Sequence, residues 1–132
     1  FATLQYRKLI YNMSFVSLNF LCIFILIWIL KMSIVYVCRF LPPEIGRLKN
    51  LEELDISFNK LKTLPSEISS LVSLRHLRAE NNKLTELPSG LACLPKLSSI
   101  DVAHNKLTSL ESLGLSSMTS LRLLNAKVFT KP

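Results

Sequence analysis

The side chains able to carry chemistry are few and scattered. His76 and His104 stand 28 residues apart, and neither has a cysteine at metal-ligand spacing. The carboxylates stand singly except for Glu52-Glu53, which point to opposite sides of an extended chain. Gly46, Gly90 and Gly114 are too far apart to build a phosphate-cradling loop. No kinase catalytic loop and no Asp-Phe-Gly occurs, and no nucleophile stands beside a base. The sequence is therefore read as non-enzymatic, with no cofactor, no metal and no small-molecule substrate. What recurs at a fixed step is the side-chain amide. Asn59, Asn82 and Asn105 are each followed by Lys-Leu and are 23 residues apart. An amide offers two donors and an acceptor, so its chemistry here is to satisfy backbone groups where the chain turns.

The residues around each amide show how it is positioned. Leu51, Leu54, Ile56, Asn59 and Leu61 spell L-x-x-L-x-L-x-x-N-x-L. The same spacing returns with Leu74, Leu77, Ala79, Asn82 and Leu84, and with Leu97, Ile100, Val102, Asn105 and Leu107. This is the spacing of a leucine-rich repeat. Leu54 and Ile56, two apart on a short strand, share a face, and Asp55 and Ser57 take the other. One repeat cannot bury its apolar face alone, so the repeats must stack, with the asparagines forming a ladder along the stack. The return half recurs too: Leu64-Pro65, Ile68 and Leu71 match Leu87-Pro88, Leu91 and Leu94, and Leu41-Pro42, Ile45 and Leu48 fit the same frame. Proline lacks an N–H and resists regular pairing, which suits a chain returning along the outer side. The expected fold is an α/β repeat: a leucine-rich-repeat solenoid at 41–132 with a short parallel sheet on its concave face, preceded by a hydrophobic helix.

The outward strand positions line that concave face. Across the repeats they read as columns: Glu53, His76, Ser99, Leu123; Asp55, Arg78, Asp101, Asn125; Ser57, Glu80, Ala103, Lys127; and Phe58, Asn81, His104, Val128. Glu53, Asp55, Ser57, His76, Arg78, Glu80, Ser99 and Asp101 are the candidate protein-binding residues. Strands about 4.8 Å apart would let Asp55, Arg78 and Asp101 form a charge ladder. Phe58 is read first as a spine residue packing between repeats and second as a binding anchor.

The net charge of +7 does not imply nucleic acid, because along the repeats basic residues alternate with acids. Residues 1–40 hold Arg7, Lys8, Lys31 and Arg39 and no acid. Within them, 15–38 has one charge, Lys31, over 24 residues. As a helix this stretch would reach about 36 Å, enough to cross a bilayer core. It is too long for a signal-peptide core. The basic residues flanking it place the repeats in the cytoplasm by the positive-inside rule, as a single-pass membrane protein. A second reading stands beside this one. Counting back from the first repeat, positions 28, 31, 33, 36 and 38 hold Trp28, Lys31, Ser33, Tyr36 and Cys38, where the repeat would place Leu, Leu, Leu, Asn and Leu. On that reading residues 1–40 are translated non-coding sequence replacing true upstream repeats, and the protein is cytoplasmic. The chain starts at Phe1 rather than Met, which suits a fragment. Cys22, Cys38 and Cys93 form no C-x-x-C, and no cysteine-rich cap flanks the repeats, which favours a reducing location.

After Leu107 the frame slips. Glu111 takes the proline position, and Leu115, Met118, Leu121 and Leu124 fit only with one residue inserted. The asparagine position then falls on Phe129, so the last repeat is expected to decay.

Residues 41–110 resemble the Ras-group leucine-rich repeats. The likeness rests on Leu-Pro-x-Glu-Ile at 41–45 and 64–68 and on Asn-Lys-Leu at 59–61, 82–84 and 105–107. Such repeats are similar to those of plant intracellular Ras-group-related proteins, and 107–113 is similar to the repeat region of plant leucine-rich-repeat kinases. The resemblance implies a scaffold that contacts proteins in signalling, a small GTPase among its candidate partners. The alternatives are a membrane-anchored, receptor-like fragment whose repeats sense an extracellular ligand, and the non-catalytic part of a kinase.

Overall fold

Leu54, Leu77, Ile100 and Leu124 each occupy the middle of a three-residue strand, and their alignment sets the architecture. The structure is a computed structural model that describes residues 8–10, 40, 41 and 43–127. Its strands are β1 (Lys8–Ile10), β2 (Glu53–Asp55), β3 (His76–Arg78), β4 (Ser99–Asp101) and β5 (Leu123–Asn125). They form one sheet in the order β1-β2-β3-β4-β5, every neighbouring pair parallel. Backbone bonds carry the pairing past the strand ends. Ile56 N–H donates to the Arg78 carbonyl at 2.8 Å and Phe58 N–H to Glu80 at 2.9 Å. One repeat on, Ala79 N–H donates to Asp101 at 2.7 Å and Asn81 N–H to Ala103 at 3.0 Å.

The return half is built from 3-10 turns, at Pro43–Arg47, Ser66–Ser70, Ser89–Cys93, Glu111–Leu113 and Leu115–Ser117. The short parallel sheet of the expected leucine-rich-repeat solenoid is present, and its return half carries no α-helix among the described residues. The physical reason is length. Five residues cannot repay α-helix nucleation, whereas 3-10 turns are used in short pieces. Pro65 (φ −69°, ψ 149°) and Pro88 (φ −67°, ψ 135°) hold extended backbone just before two of these turns. Successive i→i+3 bonds then carry the chain back to the sheet: Ile68 N–H to Pro65 O, Leu71 N–H to Ile68 O, and Leu74 N–H to Leu71 O. Three residues per turn stack Ile68, Leu71 and Leu74 on one face, and all are fully buried. Neighbouring turns approach closely enough that a Cβ on Gly46 would stand 2.7 Å from the Glu67 carbonyl oxygen. The core is one continuous column of aliphatic side chains from Leu41 to Leu113.

Both ends of the described sheet depart from the regular repeat. The sheet takes its first strand from Lys8–Ile10, inside the segment set apart from the repeats, with Leu9 opposite Leu54. The proposed helix at 15–38 lies outside the described residues, among which no helix is long and apolar enough to cross a membrane. At the other end the inserted residue is real, because Ile100 pairs with Leu124, a step of 24. Gly114, at φ +58°, splits the last return into two short turns. This kink buries Leu113 fully and leaves Leu115, which the sequence placed in the repeat frame, 41% exposed.

Candidate functional site: the concave strand face

The asparagines hold the turns that end the strands. Asn82 Nδ2 donates to Ile56 O at 2.9 Å and to Ala79 O at 3.0 Å, and its Oδ1 accepts Leu61 N–H at 3.1 Å. Asn105 repeats this on Ala79 O (2.9 Å), Val102 O (2.9 Å) and Leu84 N–H (3.0 Å). Asn59 donates to Ile56 O at 2.8 Å and Ser57 O at 3.0 Å. Ile56 O thus accepts from both Asn59 and Asn82, and Ala79 O from both Asn82 and Asn105. Amide and carbonyl alternate in one string through the buried edge of the solenoid.

This string fixes the backbone that presents the concave face. In one column Glu53, His76, Ser99 and Leu123 lie in register; in the next, Asp55, Arg78, Asp101 and Asn125. His76 Nδ1 and Ser99 Oγ are 2.8 Å apart, joining two repeats by side chains. The charge ladder expected of Asp55, Arg78 and Asp101 does not form. Asp55 Oδ1 accepts the Ser57 N–H at 3.1 Å and its hydroxyl at 2.7 Å. Asp101 Oδ1 accepts Ala103 N–H at 3.1 Å, and its Oδ2 accepts from Asn125 Nδ2 at 3.1 Å. A carboxylate two residues before a turn N–H bonds locally, which outcompetes a solvated ion pair. Arg78 is left exposed, with no ion pair among the described residues.

Ser57 is buried and its hydroxyl is committed to Asp55, so it offers little surface on the face where the sequence reading placed it. Glu80 is half-buried. Phe58 is 67% exposed, which overturns its reading as a packing residue. The turn explains this. Phe58, Asn81 and His104 take φ of +57°, +54° and +53°, the left-handed conformation that closes each repeat and turns the side chain outward. Asparagine tolerates that conformation and phenylalanine does not. Phe58→Asn is therefore expected to stabilise the chain by about 1 kcal/mol, read as a raised urea midpoint with an unchanged slope. A fall in the midpoint would show that the exposed ring contributes packing after all.

Of the residues examined for catalysis, His76 lies on the concave face and His104 on the exposed turns. Among the described residues no group of three or more His, Cys, Asp or Glu is placed to hold a metal. Cys93 is free and exposed. Sequence reasoning missed a cleft of about 680 Å³ beside the starts of β3, β4 and β5, bordered by Arg75, Lys96 and Arg122. The signal was present in the column just before the strands, which reads Glu52, Arg75, Ser98, Arg122.

Comparison with known proteins agrees with this architecture. No curated protein sequence matches the chain. Among solved structures, the chain is similar to a leucine-rich-repeat protein of Leptospira interrogans at 34% identity and a TM-score of 0.65, over 74% of this chain and 26% of that one. It is also similar to a chain of the Drosophila Toll–Spätzle complex at 27% identity and a TM-score of 0.64, over 74% of this chain and 14% of that one. The chain therefore spans about a quarter or less of the length of these relatives. The family model for a leucine-rich repeat region matches residues 6–131. With that match over nearly its whole length, the chain belongs to the leucine-rich-repeat family, a protein-interaction fold.

Proposed function

We propose that this solenoid holds a protein partner on its concave strand face and acts as a non-catalytic scaffold in intracellular signalling. The observation that carries the reading is the face itself. The outward positions of β2–β5 stand in register on a backbone pinned by the asparagine string, and Arg78 is exposed and uncommitted at its centre. Rigid presentation lowers the ordering cost of binding. The similarity to a chain of the Toll–Spätzle complex supports a protein rather than a small molecule as the ligand. The 23-residue frame and the Leu-Pro-x-Glu-Ile sequences support the Ras-group subclass, and with it a small GTPase or another signalling protein as partner.

A photo-crosslinking amino acid placed in turn at Glu53, Arg78, Ser99 and Asp101 tests the proposal in cells. Discrete crosslinked species are expected from these positions and not from Glu67 or Glu111 on the exposed return turns. Equal labelling from both faces, or labelling from the return turns alone, would remove the concave face from the function.

A further inference from the structure

The cleft at the strand starts has a chemistry distinct from the centre of the sheet. Three cationic side chains border it, Arg75, Lys96 and Arg122, and no carboxylate lines it. All three are exposed. Arg75 leans toward Glu52 at 3.8 Å, a loose pair in which both side chains are well solvated. Lys96 and Arg122 make no ion pair among the described residues. Arg75 and Arg122 stand two strand spacings apart, about 10 Å. Side chains on one face of an extended chain stand about 7 Å apart at two residues and about 13 Å at four, spacings that bracket this separation.

The rest of the cleft is already committed inward. The N–H groups of Arg75 and His76 both donate to Glu52 O, those of Ser98 and Ser99 to Arg75 O, and those of Arg122 and Leu123 to Ser98 O. The Ser98 hydroxyl donates to Arg75 O at 2.9 Å and the Ser120 hydroxyl to Pro95 O at 2.7 Å. No ring of backbone amides is left to cradle a single phosphate. What faces solvent is spaced positive charge, together with Leu123, which is 60% exposed at the cleft wall. No Phe, Tyr or Trp lines the cleft, and its one aromatic ring, His76, is bonded through Nδ1 to Ser99 Oγ, which disfavours a row of stacked nucleic-acid bases.

We infer that this cleft is a docking groove for an extended acidic polypeptide segment of the partner, its carboxylates meeting Arg75, Lys96 and Arg122 and an apolar neighbour meeting Leu123. The inference rests on the reading of the chain as a protein-binding module and adds which chemistry it selects. The groove, about 680 Å³ and open to solvent, has room for a short stretch of extended chain laid across the strand starts.

The test is fluorescence anisotropy on the full chain with a labelled peptide of Glu-Glu-Leu repeats, which puts both residue types on each face of an extended chain. Saturable binding that weakens as salt is raised is expected, because the contacts are solvated charges. Lys96→Glu with Arg122→Glu should weaken it by about tenfold or more. Lys62→Glu, an exposed cation outside the cleft and off the concave face, should change it by less than about twofold. Both substituted cleft residues are exposed, and an unchanged thermal midpoint will show that the variant is folded. Should it unfold, the milder Arg122→Gln and Lys96→Gln, measured singly, carry the same expectation of weaker binding. No binding, binding indifferent to the cleft substitutions, or tighter binding of a single-stranded oligonucleotide of equal charge would each overturn the inference. Crosslinking from the concave face alongside any of these results would leave the proposed function standing and remove only the acidic segment.

Discussion

Asn82→Ala is expected to lower the stability of the chain by about 2–3 kcal/mol, the scale for leaving a buried donor without its partner. Asn82 is buried, and its amide joins two repeats. Truncation does not orphan every group it touches. Ile56 O keeps the donor of Asn59, and Ala79 O keeps that of Asn105. The group stranded is the Leu61 N–H, whose acceptor is Asn82 Oδ1. Asn82→Asp separates the two halves of the amide. It retains an acceptor for Leu61 but brings a carboxylate against two carbonyl oxygens, so at neutral pH it should destabilise at least as much as alanine. Lys83→Ala, at the next, exposed position, should stay within about 0.5 kcal/mol. Urea unfolding of the three variants decides the matter. Equal midpoints for Asn82→Ala and Lys83→Ala would deny the amide its structural weight.

The second large effect is expected from Leu77→Ala, at a cost of about 2–5 kcal/mol. Leu77 is fully buried in the middle of β3, between Leu54 and Ile100 on the flanking strands. Its loss removes apolar burial and leaves a cavity that the backbone cannot close, because the parallel ladder fixes strand spacing on both sides. Leu123→Ala is the matched control: the same substitution, one position off the core register and 60% exposed, should cost little. In a solenoid each repeat is supported by its neighbours, so a defect at Leu77 also weakens the repeats of Leu54 and Ile100. Thermal unfolding of the full chain should show a large fall in midpoint for Leu77→Ala and almost none for Leu123→Ala. Comparable falls would mean that β5 is as deeply supported as β3.

The repeat frame was legible because its determinants are local and strict. Leu54, Leu77 and Ile100 can face inward only at a fixed register, and the 23-residue step delivers that register. The inserted residue before Leu124 was legible for the same reason. The return half was read only as a chain coming back along the outer side, with no turn type assigned. Yet Ile68, Leu71, Leu74 and Leu77, and Leu91, Leu94, Leu97 and Ile100, recur every three residues, which is the 3-10 period. Leu113 escaped notice because its burial depends on the left-handed turn at Gly114, a tertiary choice that no periodicity announces. On the concave face, strand alternation placed Glu53, His76, Ser99, Asp55, Arg78 and Asp101 correctly in their columns. It could not show that Asp55 and Asp101 would bond within their own turns. Nor could it show that Ser57 would be buried, since these outcomes depend on angles at the strand end.

The asparagine string also has a direction. Each cross-repeat bond of Asn82 and Asn105 runs from the later repeat to the earlier one, to Ile56 O and Leu61 N–H, then to Ala79 O and Leu84 N–H. Loosening the turn around Asn105 therefore frees the Leu84 amide, which sits a full repeat upstream. Loosening the turn around Asn59 leaves the bond of Asn82 to its own Ala79 carbonyl intact. Opening is shared across each repeat boundary: the cross-repeat bonds of Asn82 are lost whether its own turn or that of Asn59 loosens. The solvent exchange of an amide such as that of Leu61 reports on the integrity of the repeat that follows it.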